Sequence, residues 1–114
     1  MKQKDRSISG LRSMWLFAMF DLPVDTKAAR RQYVRFRNYL LSEGFSMLQY
    51  SVYARYCASE QRTEGFRRRI RLELPPDGEV RLLSVTDRQF GKMEVYYGKS
   101  RKSAEKKPEQ TLLF

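Results

Sequence analysis

An aspartate at the end of an apolar run, a lone cysteine and a crowd of arginines are the groups in this 114-residue chain that could do chemistry. Asp21 closes the run that begins at Met14 and is followed at once by Leu22 and Pro23, so a carboxylate stands where a buried element meets solvent. No histidine occurs, and cysteine occurs once, at Cys57. That excludes metal clusters built from Cys and His. Any bound metal must then be held by oxygen, which favours magnesium, manganese or calcium over zinc. An intramolecular disulfide is excluded as well, and a single cysteine fits a reducing compartment. Cys57 itself reads as a small buried hydrophobe.

The formal net charge is +10, from 23 Lys and Arg against 13 Asp and Glu. The planar fork of arginine suits phosphate better than a point charge does. Such an excess points to a polyanionic partner, of which nucleic acid is the commonest; a merely soluble basic surface would carry the same charge. Lys27, Arg31 and Arg35 recur at intervals of four, with Arg30 and Arg37 beside them. Arg67, Arg68, Arg69 and Arg71 fall within two helical turns, where mutual repulsion is unfavourable without a counter-anion. A phosphate track explains them better than a solvated face. Nothing encodes base reading, so binding is expected to be indifferent to sequence and to weaken steeply with salt.

These groups need elements to position them. Residues 14–21 are apolar on both alternating sides, with Trp15, Phe17 and Met19 on one and Leu16, Ala18 and Phe20 on the other, which suits a central strand. Asp25 or Thr26 can cap a helix running to Glu43, stopped by Gly44, with Ala29, Tyr33, Phe36 and Leu40 as its apolar stripe. Residues 45–56 are strand-like and divide at Gln49 and Tyr50. In the second piece Val52, Ala54 and Tyr56 face one way, and Ser51, Tyr53 and Arg55 the other. Ser59 opens a second helix with Phe66, Ile70 and Leu74 inward, ended by Pro75 and Pro76. Residues 79–86 form a fourth strand, and residues 93–97 suit a further short one.

Residues 1–13 read as a flexible basic arm, 14–98 as the folded domain, and 99–114 as a polar linker ending in an apolar docking segment. No apolar stretch reaches the roughly 20 residues of a membrane span, and no signal-peptide pattern opens the chain, so a cytoplasmic protein is expected. Strand, helix, strand, strand, helix, strand is the α+β ferredoxin-like plan, one antiparallel sheet with both helices on one face. Two helices cannot cover a strand that is apolar on both faces. A second copy packed face to face is the simplest cover for Trp15 and Phe17, so a homodimer is expected. The competing use of that face is stacking of RNA on Tyr53 and Arg55, although no RNP1 pattern is present.

Phe20-Asp21-Leu22-Pro23, the helical stretch 31–45, Gln49-Tyr50-Ser51-Val52-Tyr53 and the stretch 83–90 stand in an order that resembles CRISPR-associated protein 2. The versions found beside type II effector nucleases are the most similar, and the likeness covers residues 14–98. The resemblance implies a homodimer that bridges two dimers of the CRISPR-associated integrase (protein 1) and holds a short DNA duplex for insertion into the repeat array. It implies that the C-terminal segment, with Leu112, Leu113 and Phe114, reaches the other subunit or the integrase, adding to an interface of Trp15, Phe17 and Tyr53. It also implies magnesium-dependent cleavage of single-stranded RNA or double-stranded DNA, with Asp21 as the metal ligand.

Physically, one Asp per chain suffices for magnesium if two meet across a dyad, and Ser51 could orient the attacking water. Asp21 could equally accept backbone N–H bonds in the turn before the helix. Three roles therefore stand at this point: a non-catalytic adaptor on duplex DNA, a metal-dependent endonuclease, and a toxin-like RNA interferase or RNA binder on the same fold.

Overall fold

The computed structural model describes residues 12–98. The docking residues Leu112, Leu113 and Phe114, the linker that carries them and all but the last two residues of the expected arm lie outside that range.

Four strands form one antiparallel sheet in the order β2-β3-β1-β4. Along the chain they are β1 (Met14–Asp21), β2 (Ser46–Gln49), β3 (Val52–Cys57) and β4 (Glu79–Thr86), with helices α1 (Lys27–Ser42), α2 (Glu60–Leu72) and α3 (Asp87–Gly91) between and after them. This is the ferredoxin-like βαββαβ plan. β1 occupies the centre because it is apolar on both sides. Its partner on one edge runs from Met14 opposite Cys57 to Met19 opposite Val52, and on the other from Met14 opposite Thr86 to Asp21 opposite Glu79.

Met14, Leu16, Ala18 and Phe20 point towards the helices and are buried, whereas Trp15, Phe17 and Met19 are only partly so. Phe36 and Leu40 of α1 and Phe66 and Ile70 of α2 join that first set in one core. Phe36 meets the Phe20 ring edge-on at 5.2 Å, and Phe45 meets Phe66 likewise at 6.0 Å. Thr26 and Ser59 cap the two long helices, accepting from the amides of Ala29 and Arg62. Gly44, at φ +91°, takes the left-handed conformation that ends α1.

Three expectations need correction. Tyr53 does not lie on the open face: it is 2% exposed beneath the helices, its ring 5.6 Å from that of Phe20. Arg55 shares that side, donating from Nε to the Glu43 carbonyl and lying 4.4 Å over the Phe66 ring. The alternation of β3 is as expected, but the side carrying Tyr53 is the buried one, because its ring fills the space left by Ala18 opposite it. Leu74 falls outside the α2 stripe, since the helix ends at Leu72 and Leu74 is exposed; Thr63 takes a buried place instead. Residues 93–97 form no strand. The chain instead turns at Thr86 into α3, held by a capping box in which Thr86 and Gln89 satisfy each other's backbone amides.

α3 changes what the outer face of the sheet offers. Phe90 stacks on Trp15 at 3.9 Å with the planes 7° apart, and its ring lies 5.9 Å from that of Phe17. Trp15 Nε1 donates to Asp87 Oδ1 at 2.7 Å. Part of the cover expected from a second copy thus comes from the chain itself. Beyond α3 the outer face stays open, with Leu83 51% exposed.

Candidate functional site

At the carboxyl end of β1 the sheet register builds a cleft of about 240 Å³ lined by Asp21, Ser51, Tyr50, Glu79 and Arg81, with Met19 and Val52 at its apolar end. Gly78 makes the close approach possible. A Cβ there would fall 2.7 Å from the Asp21 carbonyl oxygen and 2.8 Å from Leu22 Cδ2, and φ is +91°. β4 can therefore begin directly against the end of β1, with Glu79 opposite Asp21.

Residues directly opposite in an antiparallel pair project to the same face, so the two carboxylates share one side of the sheet. Like charges so placed disfavour the pairing by a few tenths of a kcal/mol up to about 1. Arg81 offsets this, its Nη2 lying 3.0 Å from Glu79 Oε2.

Ser51 enters from the turn between β2 and β3. Its φ is +64°, unusual for a residue with a side chain, and the conformation is held from two directions. Its carbonyl accepts from the Phe20 amide at 3.0 Å, and its hydroxyl lies 3.0 Å from the Tyr33 hydroxyl. Burial pushes the Tyr33 phenol above its ordinary range, against the opposing effect of that hydrogen bond. Asp21 itself is exposed, and Thr26, not an aspartate, caps the helix that follows.

The donor set fits magnesium in one particular way. Among the described residues no group of three His, Cys, Asp or Glu side chains converges, so a protein cage of the calcium or zinc kind is not built. One or two carboxylates beside a solvent-filled cleft is the arrangement in which magnesium keeps several of its waters. Asp21 would hold it, with Glu79 across the ladder as the second oxygen donor.

The arginines divide into separate clusters. Glu64 gathers three: Arg67 Nε at 3.7 Å, Arg68 Nη1 at 3.9 Å and Arg71 Nη2 at 3.6 Å. Arg67 also donates to the Ser84 hydroxyl. Arg69 leaves this group, lying 4.6 Å over the Phe66 ring and 3.2 Å from Glu43 Oε1. Arg35 ties α1 to the end of α2, donating to the Glu73 carboxylate at 3.2 Å and its carbonyl at 3.0 Å. Arg30 donates to the Val24 carbonyl, and it shares a shallow exposed surface with Lys27, Arg31 and Val34. The repulsion inferred from sequence is therefore met inside the molecule, since Glu43, Glu64 and Glu73 supply counter-charges.

Residues 14–93 match the family described as CRISPR associated protein Cas2. The chain belongs to the Cas2 family. Among relatives named CRISPR-associated endoribonuclease Cas2, that of Parvibaculum lavamentivorans is 52% identical over 101 residues, covering 89% of this chain and 100% of its own. That of Flavobacterium psychrophilum is 44% identical over 103 residues, 90% of each chain. That of Paracidovorax avenae is 43% identical over 107 residues, covering 94% of this chain and 99% of its own.

Within this Cas2 fold the structure brings Asp21 and Ser51 together in one cleft and leaves Trp15 and Phe17 on the outer face under Phe90. It separates Tyr53 from both. Glu79, Arg81 and Phe90 are additions that only the sheet register and the packing of α3 bring into view, and Glu64 is one that the spacing along α2 already offers. No helix among the described residues is long and apolar enough to cross a membrane.

Proposed function

We propose that this chain works as a homodimer in CRISPR spacer acquisition, gripping duplex DNA without reading its sequence and bridging dimers of the CRISPR-associated integrase. The observation that carries the DNA-binding part is the convergence of Arg67, Arg68 and Arg71 on one exposed carboxylate, Glu64. One carboxylate balances only one of the three guanidinium groups, so the cluster keeps an excess of about two positive charges, with Arg68 and Arg71 more than half exposed, which suits a phosphate backbone. The second copy packs on the part of the outer face that α3 leaves open, around Leu83 and Met19. A two-fold axis near the carboxyl ends of β1 would bring the two Asp21 together, and the second copy doubles the positive charge along a duplex.

A second reading is favoured by the cleft itself. Asp21 and Glu79 on one face, with Ser51 held beside them, could seat magnesium, which would neutralise phosphate charge and acidify a bound water. The relatives' name, endoribonuclease, supports RNA as the substrate of such a site, with duplex DNA as the other choice.

One experiment tests both. Asp21→Ala is assayed for magnesium-dependent cleavage of RNA and DNA, and for integration in the presence of the integrase. Loss of several kcal/mol of charge stabilisation predicts cleavage falling about 100-fold or more, with integration intact. Loss of both activities from a variant that still dimerises would replace the adaptor by an enzyme.

A further inference from the structure

Tyr50 is 76% exposed, at the rim of the Asp21 cleft, in the turn that joins β2 to β3. Exposed aromatic rings are common and by themselves mean little. This one is fixed in place. Its ring stacks on Tyr33 of α1, with centroids 6.0 Å apart and planes at 20°. The next residue, Ser51, is the one described non-glycine residue with positive φ, and Tyr33 pins it through its hydroxyl while Phe20 binds its carbonyl.

A left-handed non-glycine residue is strained and persists only where its surroundings enforce it. Here the surroundings hold a flat ring out into solvent. Arg81 lies in the same cleft.

A rigid aromatic with a solvent-facing surface, at the rim of a cleft that an arginine also lines, is a surface on which unpaired bases stack. Paired bases inside a duplex cannot present their faces to it. We infer that Tyr50, backed by Tyr33 and held by the Ser51 turn, is a stacking platform for an unpaired base of a single-stranded nucleic acid entering the Asp21 cleft. This rests on the nucleic-acid reading above and names the form of substrate that the cleft takes. The arginine clusters are a separate surface for duplex.

The test uses full-length chain and three labelled probes, a 12-mer of dT, a 12-mer of U and a 12-base-pair duplex, followed by fluorescence anisotropy. Tyr50→Ala weakens binding of the single strands about 5- to 150-fold, which is the about 1–3 kcal/mol of one stacked base, and leaves duplex affinity within twofold. Tyr50→Phe keeps the ring and retains binding. The ratio of the U and dT affinities tells RNA from DNA as the source of the base. Unchanged single-strand affinity in Tyr50→Ala, or no single-strand binding by the natural chain, overturns the platform. Absence of duplex binding by the natural chain would instead count against the adaptor.

Discussion

Reversing Arg68 and Arg71 together to Glu lowers affinity for a duplex about 100-fold or more at low salt, because each lost phosphate contact forfeits the release of nearly one counterion. Both side chains are more than half exposed and touch only Glu64 among their ion pairs. Exposed pairs of this kind contribute about 0–1 kcal/mol each to stability, so the fold should survive the exchange. Arg69 is less suited to the test, since it also covers Phe66 and binds Glu43. Anisotropy titrations across a salt series check this: the slope of log affinity against log salt should flatten as well as the affinity fall. An unchanged slope would mean that the duplex lies on another face, the surface around Arg31 being the next to try.

Phe36→Ala is expected to lower the free energy of unfolding by about 3–5 kcal/mol, the usual cost of emptying a large core site. Phe36 is fully buried and its ring abuts Phe20, so it links α1 to the strand that ends in Asp21. A domain of this size holds about 5–15 kcal/mol in all, so little margin would be left. Urea titration followed by circular dichroism measures the effect. With a slope of about 1–3 kcal/mol per molar urea, the midpoint should fall by roughly 1 M or more. A midpoint that did not move would show that α1 does not pack as described.

Much of this fold can be read from the residues alone. The central strand declares itself by being apolar on both sides, and Thr26, Ser59 and Gly44 mark helix ends where the structure has them. The break between β2 and β3 falls at Tyr50 and Ser51, one residue after the expected division at Gln49 and Tyr50. What fails is the choice of side. Alternation tells which residues of β3 travel together, but both sets contain a tyrosine, so nothing local says which set is buried. Tyr53 is inside because Ala18 opposite leaves room for its ring.

The short helix after β4 carried a usable signal. Thr86 followed three residues later by Gln89 is a capping-box pattern. Glu79 could not be placed beside Asp21 without the register, since a shift of one residue would send it to the other face. Glu64 differs, since it stands three, four and seven residues before Arg67, Arg68 and Arg71 on the expected second helix, and that spacing is readable in the sequence. Cys57 is buried, and burial pushes its thiol above the ordinary range, as expected of a packing residue.

The proposed association through the outer face is what the proposed pairing of Asp21 across a dyad and the proposed extended duplex surface both require. Sedimentation equilibrium of the full chain at micromolar concentration is its most direct test. The mass should be twice that of the 13.6 kDa chain, and Leu83→Glu should reduce it to a single chain. A natural chain that sediments at 13.6 kDa under those conditions would contradict it.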